Sequence, residues 1–274
     1  MKDNKSLTID NAIFSSSLEN GVLTIKQKQH IRYITEDINA IFCFYDALES
    51  MLASKEYKVM VMFACPEHSE HLNHCSFLCK ALTADRKDKS LDRLTNLFNR
   101  LLLTVSTLNG ITIYAGQGKV SLFHLNLSLA YDYRLVADDT VFENPNAGFG
   151  LITKGSGYFL PRLLGVRKAT EVLQWQSFSA EEALQLGLVD RIVPAAKLEE
   201  ETMRLVTTNF ADSTSTLLGI RKLFKCDLRE LQRSLNLEDK LIKDRLDSAD
   251  FRQTFASYCT KKFGRDDVKL CAEG

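Results

Sequence analysis

Apolar positions along the chain recur with two different periods, and the places where the period changes mark its elements. Through about the first two-thirds, short apolar runs alternate with stretches whose apolar residues return every three or four positions, as expected of strands joined by crossover helices. "GVLTIKQ" predicts a strand, and "EDINAIFCFYDALESMLAS" an amphipathic helix with Phe42, Phe44, Tyr45, Met51 and Leu52 as core positions. "YKVMVMFAC" predicts a buried strand stopped at Pro66. "SLDRLTNLFNRLLLTVSTLN" predicts a long helix with a stripe through Leu94, Leu97, Leu101 and Leu102, and "GITIYAGQG" another strand. "YDYRLVADDTVFENP" divides into two short strands around a turn at Asp138 and Asp139. Beyond Gly155 strand signals thin out and helical periods take over. The pattern predicts an α/β core over residues 1–200 and an α-helical region over 201–274, with no linker composition between them.

Local chemistry sharpens one segment. In "SFSAEEALQLGLVDRIVP", Ser179 can cap a helix while Glu182, three residues on, returns the bond. Gly187 can end that helix in the left-handed conformation, and Val189 to Val193 resumes an extended run that Pro194 stops. "GSG" at 155–157 lacks the Lys-Ser/Thr ending of a nucleotide loop and predicts a turn at a helix N-terminus.

Composition excludes more than it selects. With 35 basic and 35 acidic residues the formal charge is zero, so no global field draws the chain to nucleic acid or to an anionic membrane. Seven scattered cysteines, an odd number, fit a reducing compartment better than a disulfide framework. The start, "MKDNKSLTIDNAIFSSSLENG", has neither the apolar run of a signal peptide nor the Arg-rich, acid-poor character of a transit peptide, so cytoplasmic residence is expected. No apolar run approaches the roughly 20 residues that span a bilayer. His68, His71 and His74, with Cys65 and Cys75 nearby, have a metal-like spacing, but a loop with a histidine every third residue does not fix a tetrahedral site; no metal is expected.

Several ordered motifs carry a resemblance. "FSAEEALQLGLVDRIVP", "GLITKGSGYFLPRLLGVRKATEVL" before it, Gly118, Asp132 and "FENP" further upstream, and "SADFRQTFASYCTKKF" near the end together resemble the crotonase superfamily, the enoyl-CoA hydratase and isomerase family. The likeness is strong over 110–197 and weaker over 20–80. It implies a spiral of ββα units with two roughly perpendicular sheets and a helical C-terminal region that assembles a homotrimer or a dimer of trimers. It also implies a site for an acyl thioester, on coenzyme A or on a carrier protein, with no cofactor beyond the coenzyme A of the substrate.

Members of that family hold the thioester oxygen with two main-chain N–H groups, a preorganised pair that stabilises an enolate without reorganising during the reaction. Carried over position by position, one donor falls in "HCSF", at His74 or Cys75, and the other at Phe123 in "LFH", where the family has glycine. Phenylalanine there narrows the pocket. The two glutamates of the family's hydratases fall on Asn126 and Asn146. An amide neither accepts nor delivers a proton near neutral pH, so hydration by two carboxylates is not expected. Glu143, three residues before Asn146, points to another face if the strand alternates.

The resemblance therefore implies an enzyme of enoyl-CoA hydratase or isomerase type working through enolate stabilisation. Two alternatives stand beside it: a non-catalytic paralogue that binds a thioester or assembles with an active one, and a thioester decarboxylase in which His74, Lys80 or Lys154 meets the departing carboxylate. Lys26, Lys28, Lys261 and Lys262 are candidates for the phosphates of coenzyme A.

Overall fold

A computed structural model of the chain describes residues 7–28, 56–64, 89–210, 214–224 and 226–263, with positions 40, 44, 47, 51, 54, 75, 77–79 and 82 between them. Among the described residues, ten strands form two sheets. β1 (Ile9–Asp10), β2 (Phe14–Glu19), β3 (Val22–Gln27), β4 (Val59–Phe63), β5 (Ile111–Gly116), β7 (Tyr133–Ala137) and β10 (Arg191–Val193) make a seven-stranded sheet in the order β1-β2-β3-β4-β5-β7-β10. β6 (Lys119–Ser121), β8 (Val141–Glu143) and β9 (Ser177–Ser179) make a second sheet of three. The large sheet is antiparallel from β1 to β3 and parallel from β3 onward.

The helices with described bounds are α1 (Ser90–Thr107), α2 (Leu122–Ser128), α3 (Pro145–Phe149), α4 (Ser156–Val172), α5 (Ala180–Gln185), α6 (Leu198–Phe210), α7 (Thr214–Leu223), α8 (Leu228–Leu246) and α9 (Ala249–Phe263). The same step occurs twice in the middle of the chain. β5–β6–α2 and β7–β8–α3 each give one strand to the large sheet and the next to the small one before closing on a helix. This is the mixed α/β architecture implied by the sequence resemblance.

Strand alternation supplies both faces of the large sheet. Val59, Val61, Ile111 and Ile113 meet Leu205, Val206 and Phe210 of α6 on one side. Met60 and Tyr114 turn to the other, against Leu97, Leu101 and Val105 of α1. The helix predicted over 36–54 lies mostly outside the described residues, but Ala40, Phe44, Ala47 and Met51 are helical, and Phe44 and Met51 are buried in this same core. β2 is absent from the sequence reading because "FSSSLE" lacks an apolar alternation. Its inward serine, Ser16, is buried and donates to Leu7 O at 2.9 Å.

The capping segment folds as its residues dictate. Ser179 Oγ accepts from Glu182 N while Glu182 Oε2 accepts from Ser179 N, and Gly187 ends the turn at φ 72°. The C-terminal helices return to the core: α8 packs against α1 and α4, and α9 against α3. The last contact depends on Gly148, because a Cβ there would stand 2.4 Å from the Tyr258 ring.

Asp132 ties three elements together. Its Oδ2 accepts from Thr112 N at 2.7 Å and Thr112 Oγ1 at 2.8 Å, and its Oδ1 accepts from Arg221 Nε at 2.7 Å. Arg221 also donates to the carbonyl oxygens of Leu108 and Val105, anchoring α7 to the end of α1. Asp132→Ala strands these donors in a half-buried place and is expected to cost about 3 kcal/mol. The check is a urea transition with a lower midpoint and an unchanged slope.

Candidate active site

The site is built on the first turn of α2 and on the segment 151–157 facing it. Ser121 caps α2, its Oγ accepting from His124 N at 3.3 Å and lying 2.9 Å from His124 Nδ1. Phe123 follows within the first turn, where a main-chain N–H has no acceptor inside the helix. That is the donor position carried over by the resemblance. The ring of Phe123 is held between surrounding walls: it packs against three apolar clusters, and its centroid lies 4.4 Å from that of Phe98. His124 is buried at the head of the helix.

Asn126 and Asn146, the amides that the resemblance sets at carboxylate positions, donate into one short stretch of chain. Asn126 is fully buried, and its Nδ2 donates to Lys154 O at 2.9 Å. Turning the amide over would set two carbonyl oxygens against each other, so the local backbone selects an amide over a carboxylate. Asn126 Oδ1 takes no hydrogen bond among the described residues. Asn146, in α3, lies within reach of Thr153 Oγ1 at 3.3 Å and Ile152 O at 3.4 Å, and Thr153 in turn donates to Asn144 Oδ1 at 2.9 Å. Asn144 closes the chain by donating to Leu173 O.

The segment receiving these bonds is held from behind by α8. Lys154, only 4% exposed, donates to Leu235 O at 2.7 Å and pairs with Asp239 Oδ1 at 2.8 Å and Glu238 Oε2 at 3.5 Å. Glu238 accepts from Gly155 N at 2.7 Å and Gly157 N at 2.6 Å, so a carboxylate from α8 caps the first turn of α4. Asn99 of α1 donates to Asp239 Oδ2 at 2.7 Å. Gly155 (φ 83°) allows the crossing, since a Cβ there would meet the Phe98 ring at 2.5 Å and Asn126 Cβ at 3.1 Å. Burial pushes the Glu238 carboxyl above its usual value, against the opposing effects of Lys154 and the two main-chain donors.

Lys154 thus lies beside Asn126, with its ammonium committed to α8. His74 and Lys80, like His68, His71 and Cys65, lie outside the described residues. Cys75 is helical and buried against Phe77, Leu78 and α9 residues. Glu143 is buried at the end of β8 and pairs with Lys119 at 3.1 Å. The coenzyme A candidates separate into two places. Lys26 pairs with Glu199 at 2.6 Å, and Lys28, just past β3, pairs with Asp10. Lys261 and Lys262 stand on an open cleft of about 690 Å³ shared with Gly148, Gln176, Thr254 and Tyr258. Burial raises the Tyr258 hydroxyl to about 12.

The sequence reading missed Glu238 and Asp239. A signal existed for the first: the buried stripe of α8 runs Leu231, Leu235, Glu238, Ile242, Leu246, a carboxylate inside an apolar helical period. Among the described residues no cluster of histidine, cysteine and carboxylate could hold a metal, no helix is long and apolar enough to cross a membrane, and Cys75 and Cys226 form no disulfide.

Comparison with known proteins bears on the family of the chain. A family model described as Enoyl-CoA hydratase/isomerase matches residues 19–264. A trans-2-decenoyl-[acyl-carrier-protein] isomerase of Streptococcus mutans is 26% identical over 177 residues, 64% of this chain and 67% of that protein. The human protein enoyl-CoA hydratase domain-containing protein 3, mitochondrial, is 26% identical over 171 residues, 62% of this chain and 54% of that one. The matches therefore span about two-thirds of the first relative and about half of the second. Among solved structures, enoyl-CoA hydratase from Bacillus halodurans superposes with a TM-score of 0.75 at 18% identity, covering 89% of this chain and 99% of that one. A putative enoyl-CoA hydratase/isomerase from Acinetobacter baumannii gives 0.69 at 20%, covering 91% and 100%. At such identities the two structures speak for the fold.

Two outcomes follow. Asn126→Asp sets a buried carboxylate against Lys154 O and removes the donor, which is expected to cost about 3 kcal/mol, seen as a lowered chemical-denaturation midpoint. Because the folded state raises Glu238, it binds this proton more tightly than the unfolded chain does. The contribution of Glu238 is thus fully present below the usual carboxylate value and is lost as pH rises through the raised one. Glu238→Gln should remove that part of the pH dependence of stability, measured by denaturation at stepped pH.

Proposed function

We propose a reaction class on one premise: the chain belongs to the enoyl-CoA hydratase/isomerase family. It binds an acyl thioester, as acyl-CoA or on a carrier protein, and polarises the thioester carbonyl at the main-chain N–H of Phe123. Its chemistry is that of a stabilised enolate, migration of a double bond or loss of a carboxylate, rather than addition of water. The observation that carries this reading is the pair Asn126 and Asn146, whose amide nitrogens both reach the 152–154 stretch. Neither can hold a proton for water addition, and neither can be exchanged for a carboxylate without disturbing that backbone. An oxyanion donor is indifferent to the change, because a main-chain N–H survives the replacement of glycine by phenylalanine.

Lys154 serves in this reading as a structural cation, since its ammonium is engaged by Leu235 O, Glu238 and Asp239. The cleft beside Lys261 and Lys262 would take the phosphates of the coenzyme, two ammonium groups with no competing ion pair among the described residues. No cofactor is needed, and the homotrimer or dimer of trimers implied by the resemblance remains part of the proposal. So does cytoplasmic residence.

A second reading, a thioester-binding protein without turnover, is favoured by the Phe123 ring lodged against Phe98 beside a fully buried Asn126. A panel of coenzyme A thioesters distinguishes the two. The expected outcome is saturable binding, conversion of 3-enoyl to 2-enoyl thioester or decarboxylation of a malonyl-type thioester, and no hydration of a 2-enoyl substrate. Hydration at rates typical of an efficient enzyme would defeat the argument from the amides. Tight binding with every thioester left unchanged would establish the second reading.

A further inference from the structure

Lys154, Glu238 and Asp239 meet at one point between α8 and the turn before α4, and the thioester reading asks nothing of them beyond holding that turn. Lys154 and Glu238 are buried, and the Asp239 side chain is 20% exposed. Leu235, whose carbonyl oxygen accepts from Lys154 Nζ at 2.7 Å, belongs to an apolar cluster with Phe98, Leu102, Tyr158 and Leu231. Water is thus largely kept from an ammonium and two carboxylates. In such a place an ion pair is only weakly preferred over its neutral form, an amine beside a carboxylic acid, because both charges have lost their hydration.

The three groups are placed for more than an ion pair. Lys154 Nζ lies 2.8 Å from Asp239 Oδ1, yet that oxygen has no hydrogen-bond partner among the described residues, so the nitrogen stands against the carboxyl group off the hydrogen-bonding direction. Asp239 Oδ2 accepts from Asn99 Nδ2 at 2.7 Å, a donor set where negative charge gathers when the carboxyl carbon is attacked. Glu238 Oε2 is 3.5 Å from the same nitrogen. Burial raises the Glu238 carboxyl, which fits it for taking up a proton and returning it near neutral pH.

We infer that Lys154 and Asp239 form a self-modification site, condensing into an isopeptide bond between Nζ and Cγ with Glu238 as the proton carrier. The step needs no reactant from outside the chain. One ammonium proton passes to the Asp239 carboxylate, and the electron pair left on Nζ forms the bond to Cγ. Glu238 takes a second proton from the nitrogen and delivers it to Oδ1, the Cγ–Oδ1 bond breaks, and one water leaves. The two charges cancel, so the products are a neutral amide and water, with Oδ2 as the amide oxygen still held by Asn99. Packing supplies the proximity that the same two groups lack when free in solution. The product ties the turn behind Asn126 covalently to α8. The candidate site requires of Lys154 a side chain taken up by α8, and an amide meets that as the ion pair does.

The test is the intact mass of the full chain, purified folded, held at neutral pH and then denatured. The expected mass is below that of the sequence by one water, about 18 Da, and proteolytic digestion should release one branched peptide joining Lys154 to Asp239. Lys154→Arg, which keeps the charge, and Glu238→Gln, which keeps the shape but carries no proton, should each show the full mass of its own sequence. A wild-type chain at full mass overturns the inference whatever the variants do, and so does a lost water that digestion locates elsewhere. A cross-link that persists in Glu238→Gln overturns the part given to Glu238.

Discussion

The carboxylate of Glu238, buried and aimed from α8 at the turn 154–157, is the constraint on which the candidate site depends. It neutralises Lys154, caps α4 through two main-chain donors and thereby fixes the carbonyl that holds Asn126. Taking both charges out of water is expensive, and the partners gathered around them offset part of that cost. Asp239 and Asn99 extend the same arrangement to α1. The site is thus assembled by contacts between segments about eighty residues apart, and its geometry follows from how the C-terminal helices return to the core.

This arrangement also explains why amides suit positions 126 and 146. In this chain the positions face carbonyl and hydroxyl oxygens of a rigidly held turn, and a donor is what such a surface requires. Asparagine at 126 and 146 is therefore coherent with its surroundings. Phe123 belongs to the same adjustment, since its ring meets Phe98, whose edge in turn occupies the room left by the missing side chain of Gly155.

Much of the fold was legible because strands and helices announce themselves through local period. The runs at 22–27, 59–63, 111–116 and 133–143 and the cap at Ser179 all act within a few residues of themselves. β2 escaped because Ser16 takes an inward place that a hydrophobic alternation would assign to a larger residue, and it is accepted there through its bond to Leu7 O. The positions of the candidate site came from ordered motifs, which located Phe123, Asn126 and Asn146 without revealing what they touch. The pairing of Lys154 with Glu238 and Asp239 has no local signature beyond one acid in an apolar stripe, because it joins elements that become neighbours only on folding. His74 and Lys80 lie outside the described residues.

The crowding around Gly155 makes its neighbours interdependent. Phe98, Phe123 and Asn126 stand so close that each depends on the other two, and an acid placed at 126 alone meets a backbone and rings shaped around an amide. Such neighbours are coupled, so what one of them tolerates is set by the other two. The packing behind the site, more than the identity of any single residue in it, decides which side chains the site accepts.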